Sequence, residues 1–173
     1  MAKITKKALP NAFTLGNLCC GLISLIMTFN GDYRLSCVFI LLASVMDRYD
    51  GRIARYLDVS SDLGKELDSL ADLVSFGVAP ALLAFNLYDL ISLGLNGYLL
   101  VLVFPLCGAY RLARFNCSNF DGEFMGIPIT LAGMLLAIYC FFTINYTSYI
   151  VRTAILMIVL SYLMVSKIRM KKV

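Results

Sequence analysis

The chain has 173 residues, 60% of them apolar and 15% charged, with a net charge of +4 and a mean hydropathy of +0.81. Soluble domains carry roughly 25% charged and about 45–50% apolar residues, so a water-soluble globule, a disordered chain and a nucleic-acid binder are all excluded. The absence of histidine also excludes Ser-His-Asp and Cys-His triads and imidazole-based zinc sites.

What remains is an all-α, polytopic membrane protein. A basic lead-in, residues 1–12 with Lys3, Lys6 and Lys7, is expected to lie along the membrane surface, and no signal peptide is evident in it. Six apolar stretches follow, at Phe13–Met27, Tyr33–Tyr56, Gly64–Leu87, Leu93–Phe115, Ile127–Ile144 and Ser148–Val165. Each approaches the length of about 20 residues that a bilayer-spanning helix needs. They predict a single six-helix bundle over 13–166 with a basic tail at 167–173. The six cysteines form no CxxC pair and lie mostly in the apolar runs, where cysteine acts as a small hydrophobe.

Six spans put thirteen of the fifteen Lys and Arg residues on one side and leave only Arg34 and Arg152 on the other. The positive-inside rule makes the first side cytoplasmic, with both termini there. Five or seven spans destroy this segregation.

Seven of the eleven acidic residues fall between Asp47 and Asp72. Asp47, Asp50, Gly51 and Ala54 share one face of the second helix, and Gly64, Asp68 and Asp72 share one face of the third. An antiparallel hairpin turning at the cytoplasmic surface brings the four aspartates to matching depth. Pairing with Arg48, Arg52, Arg55 or Lys65 explains a single buried aspartate but not four on facing surfaces. Each charged aspartate costs about 2.5–3.5 kcal/mol at a helix centre, less near the interface, and mutual repulsion adds to the sum. Carboxylates without His or Cys point to Mg²⁺, Mn²⁺ or Ca²⁺, and four can hold two ions. Gly51, Ala54 and Gly64 leave room for a ligand beside the acids, whereas Ala71, Ser75 and Ala79 fit ordinary helix crossings.

The pattern Asp47-x2-Asp50-Gly51-x2-Ala54-Arg55-x8-Gly64-x3-Asp68-x3-Asp72 resembles the signature of the CDP-alcohol phosphotransferases at all eight fixed positions. Pro10-Asn11-x2-Thr14 is similar to that family's N-terminal segment. The run from Glu66 to Pro80, Arg111 to Asn116, and Gly126-Ile-Pro128 resemble its phosphatidylserine synthase branch. The resemblance covers the first three quarters of the chain; the last two stretches match in hydropathy alone.

This resemblance implies transfer of a phosphatidyl group from a CDP-linked lipid, ester or ether, to an alcohol, with release of CMP. It also implies a homodimer. Asp47, Asp50 and Asp68 are expected to ligate one divalent ion, and Asp47, Asp68 and Asp72 a second. The ions would be Mg²⁺ or Mn²⁺, with Ca²⁺ as a non-productive occupant. Asp72 is also the expected general base. Gly51, Ala54, Arg55, Gly64, Ser61, Asn11 and Thr14 are expected to contact the CDP-lipid, and Arg111 and Arg114 the acceptor. L-Serine is the expected acceptor on the branch resemblance, since phosphate-bearing acceptors suit the same arginines. A divalent-cation transporter shares the acidic intramembrane site, but it calls for acids near the midplane, open to both sides.

Overall fold

A computed structural model describes the backbone of residues 2–56, 62–117, 124–146, 148–166 and 169–170, and the side chains of 11–53, 56, 63–117, 126–146 and 148–166. Helix α1 (Ala2–Phe29) turns sharply into α2 (Tyr33–Tyr56). The turn is set by Gly31, whose φ of 79° suits a residue without a Cβ. The Asp32 and Gly31 amides donate to the carbonyls of Met27 and Thr28, so the last turn of α1 is closed by a Schellman arrangement. The Asp32 carboxylate then accepts from the Leu35 amide, 3.3 Å, and caps the start of α2. Deeper in the pair, Ser24, Thr28 and Ser36 share hydroxyl hydrogen bonds of 2.7 and 2.8 Å, all buried.

The third apolar stretch is one continuous helical rod in three parts. Helix α3 (Asp62–Asp72) passes into a π-helical stretch, Leu73–Val78, and then into α4 (Ala79–Leu87). Proline explains the wide turn. Pro80 has no N–H to offer Phe76, and its ring crowds that carbonyl in an ordinary α-helix. The widened turn relieves the crowding, and the Ala79 amide donates five residues back to Val74. The π stretch packs tightly on both sides. A Cβ on Gly21 of α1 would lie 2.9 Å from the Ser75 Cα.

A 3₁₀ turn, Leu90–Leu93, leads to α5 (Leu95–Cys117), and two shorter helices follow, α6 (Ile129–Thr143) and α7 (Ile150–Val165). Phe76, Leu83, Phe104, Ile129, Leu136 and Met157 are fully buried between these elements. Gly133 of α6 meets the widened turn backbone to backbone: a Cβ there would lie 2.7 Å from the Phe76 Cα.

Among the described residues, three helical segments are long and apolar enough to cross a membrane: Asn11–Phe29, Leu63–Leu87 and Leu95–Cys117. The other expected spans are helical too, with less clear claims. Helix α2 has the length, at 24 residues, but carries the charged positions of the signature. Helices α6 and α7, with 15 and 16 residues, reach about 22–24 Å, short of the roughly 30 Å of a hydrocarbon core.

Both ends of the chain carry regular structure beyond the apolar stretches. Helix α1 runs unbroken from Ala2 through Pro10, so the basic lead-in is continuous with the first apolar stretch. Part of the tail is also paired: Arg169–Met170 (β2) runs antiparallel to Phe124–Met125 (β1). This two-residue ladder is the sole strand pairing among the described residues of an otherwise helical chain.

The contact of Gly133 with Phe76 generates a stability prediction. Gly133→Ala forces α6 away from the π stretch and is expected to destabilise the fold by about 1–3 kcal/mol. Thermal unfolding in detergent reads this as a lowered midpoint; an unchanged midpoint would mean that the two backbones do not meet.

Candidate metal and phosphate-transfer site

Asp47 and Asp50, one helical turn apart on α2, face Asp68 on α3 across the hairpin. One carboxylate oxygen from each lies within 4.8 Å of the other two. Asp50 is buried at 5% exposure, while Asp47 and Asp68 are half-buried. Such a group is unstable by itself, since three anions at this spacing repel one another.

Two features fit the group to a hard cation. The Asp68 Oδ1 is buried with no hydrogen-bond partner among the described residues. The donor set is purely carboxylate oxygen, the chemistry of Mg²⁺, Mn²⁺ and Ca²⁺ sites.

Helix α1 supplies the supporting donors. The Thr14 hydroxyl donates to Asp50 Oδ2 at 3.0 Å, and Asn17 Nδ2 donates to Asp72 Oδ1 at 3.1 Å. From α6, the Thr130 hydroxyl reaches Asp72 Oδ2 at 3.4 Å. Asp72 itself, 7% exposed, stands outside the three-carboxylate group but within electrostatic reach of all its members.

The expected site residues are thus distributed unevenly. Asp47, Asp50 and Asp68 come together, and Asp72 stands beside them with each of its oxygens engaged. Gly51 is exposed, and a Cβ on it would meet nothing within 4 Å, so no helix crossing requires a glycine there. Gly64 is half-buried on α3. Thr14, expected at the nucleotide, holds an aspartate; Asn11, partly exposed, lies one turn before it on α1. Ala54 and Arg55 fall in α2, but their side chains lie outside the described residues, as does Ser61 altogether.

The two arginines expected at the acceptor part company. Arg111 is 9% exposed, feels the charge of Asp72, and keeps its Nε without a partner among the described residues. Arg114 turns instead toward α7, donating to the Val165 carbonyl at 3.3 Å, with its guanidinium 5.9 Å from the centre of the Tyr110 ring. Nearby, Asn116 ties α5 to α3 by donating to Ser69 at 3.0 Å and Glu66 at 3.4 Å.

Asn17 and Thr130 escaped the sequence reading. Their only signal was a polar side chain inside an apolar helix, which in membranes is as often ordinary packing. Ser75, read as packing alone, lies against Gly21 as expected and also donates to the Asn17 carbonyl at 3.0 Å.

Comparison with known proteins points to one family. The family described as CDP-alcohol phosphatidyltransferase matches residues 7–167. A Bacillus subtilis protein named CDP-diacylglycerol–serine O-phosphatidyltransferase is 40% identical over 162 residues, covering 93% of this chain and 88% of its own. A Methanocaldococcus jannaschii protein of the same name is 40% identical over 159 residues, 92% of this chain and 71% of that relative. A Helicobacter pylori protein, again of that name, is 36% identical over 132 residues, 75% of this chain and 55% of its own.

If the three carboxylates form a cation site, Asp68→Asn is expected to weaken Mn²⁺ binding by more than Thr14→Val, which removes only a supporting hydrogen bond and costs roughly tenfold. Paramagnetic titration of the purified protein in detergent measures both. Wild-type affinity in both variants would reduce the cluster to a set of structural charges.

Proposed function

Because the chain belongs to the CDP-alcohol phosphatidyltransferase family, we propose that it transfers the phosphatidyl group of a CDP-linked lipid, CDP-diacylglycerol or an ether analogue, to the hydroxyl of L-serine. The observation that carries the reading is the carboxylate group of Asp47, Asp50 and Asp68 with Asp72 beside it, on the residues of the eight-position signature. Serine as acceptor is supported by the names of the relatives at 34–40% identity.

Asp47, Asp50, Asp68 and Asp72 would hold two divalent ions, Mg²⁺ or Mn²⁺, which when bound neutralise the diphosphate and polarise the phosphorus under attack. The remaining steps belong to the chain. Asp72 accepts the proton of the serine hydroxyl as its oxygen attacks the lipid-bearing phosphorus. The bond from that phosphorus to the bridging oxygen breaks, and CMP departs with the electron pair. Gly51 leaves open space at the acids for the nucleotide diphosphate, with Gly64, Ala54, Arg55, Ser61, Asn11 and Thr14 as further CDP-lipid contacts. Arg111 offers its guanidinium to the serine carboxylate. A buried cation whose Nε lacks a partner is costly unless a ligand completes it. Arg114, engaged with Val165 and Tyr110, holds the end of α5 in place beside it.

The reading includes six membrane crossings, both termini and the site at the cytoplasmic face, and a homodimer. The segregation of Lys and Arg supports the orientation. Cytoplasmic placement also suits the chemistry, since CDP and serine are water-soluble while the lipid tails stay in the bilayer. The cation-transporter alternative is not favoured by the family match.

Two experiments test the proposal. Purified protein with CDP-diacylglycerol, Mn²⁺ and labelled serine is expected to form serine lipid and CMP one for one. Asp72→Asn is expected to lose at least about a hundredfold in turnover while still binding the CDP-lipid. Turnover with glycerol phosphate in place of serine would overturn the acceptor assignment. In the second experiment, serine is compared with serinol, which lacks the carboxylate. Arg111→Met is expected to raise the KM for serine and to narrow the preference over serinol by about tenfold or more, the cost of removing one charge-assisted contact. An unchanged preference would exclude Arg111 from the acceptor site.

A further inference from the structure

Asp72 differs from the other three aspartates in how it is held. Its two oxygens are engaged from opposite neighbours, Asn17 of α1 on Oδ1 at 3.1 Å and Thr130 of α6 on Oδ2 at 3.4 Å. A carboxylate offers about four lone-pair positions, so two donors fix its plane and leave one position free on each oxygen.

Asn17 is itself held in place. Its backbone carbonyl accepts from Ser75, which lies one turn after Asp72 on the same rod, so a single residue of α1 grips that rod at two successive levels. Asn17 is fully buried, and its Oδ1 has no partner among the described residues. Turning the amide over would set that oxygen against the Asp72 carboxylate. The orientation that keeps an N–H on Asp72 is therefore the one that leaves Oδ1 without a partner among the described residues, which packing alone does not require.

We propose that Asn17 and Thr130 are positioning residues that orient Asp72 for proton transfer from the acceptor alcohol. The assignment rests on the transferase reading above, in which Asp72 takes that proton. Each acts through Asp72, the carboxylate it donates to. Their role is to hold the carboxylate in one rotamer between the cation-binding acids and the acceptor, since a base turned out of line with the hydroxyl is ineffective whatever its strength.

The test uses the full chain in detergent with Asn17→Leu, Thr130→Val and Thr130→Ser. The first two are close in size and remove the donor; the third restores the hydroxyl. Asn17→Leu and Thr130→Val are expected to lower kcat about tenfold or more, with the KM for CDP-diacylglycerol within about threefold of wild type. Thr130→Ser is expected to recover most of the loss. Thermal stabilisation by CDP-diacylglycerol with Mn²⁺, which requires no turnover, is expected to persist in all three.

A wild-type kcat in both donorless variants overturns the assignment, as does a parallel loss of kcat and CDP-diacylglycerol stabilisation. Should Asn17→Leu fail to fold, the Thr130 pair decides, and equal activity of the Val and Ser variants counts against the role. A wild-type protein that releases no CMP would fail the transferase reading itself, a result distinct from active variants on an active wild type.

Discussion

Everything around the α2–α3 hairpin answers to one constraint: carboxylates that repel one another must be kept together in a poorly solvated place. Asp47, Asp50 and Asp68 present oxygens within 4.8 Å of each other, and Asp72 adds a fourth charge nearby. Protein groups meet only part of that demand. Thr14, Asn17 and Thr130 supply neutral donors, and Arg111 supplies a positive charge within electrostatic reach of Asp72. The shortfall is visible in the Asp68 oxygen, which has no hydrogen-bond partner among the described residues, and in the proposed reading a bound cation would make it up. Packing follows from this arrangement. Helix α1 must lie against both halves of the hairpin to deliver Thr14 and Asn17, and Gly21 lets it approach the rod closely enough.

Much of this was legible in the sequence, because the acids sit on two neighbouring helices at helical spacing. Periodicity placed Asp47 with Asp50 and Asp68 with Asp72, and the short connection made them face each other. The six helical stretches were legible for the same reason: apolar runs separated by charged or glycine-containing turns. Whether all six cross a membrane is a separate matter, since α6 and α7 are short and α2 carries the signature charges.

The parts that could not be read depend on long-range packing. Asn17 and Thr130 stand 55 and 58 residues from Asp72, and nothing local distinguishes them from the other polar residues of apolar helices. Arg111 and Arg114, three residues apart, suggested a shared task. Their long side chains separate toward different neighbours, one to Asp72 and the other to α7. The π stretch had a sign in Pro80, but proline alone does not say whether a helix kinks, ends or widens.

The order of the chain gives the donors on α1 one more consequence. Thr14 and Asn17 precede every acid they serve, whereas Arg111 and Thr130 follow them. In the order of synthesis the second and third helices therefore follow a first helix that already carries a hydrogen-bond donor for one acid on each of them. The donors of α1 are made first, and Arg111 and Thr130 are made after the last of the acids. Two of the four charges concentrated in the hairpin thus have their neutral donors upstream of them in the chain.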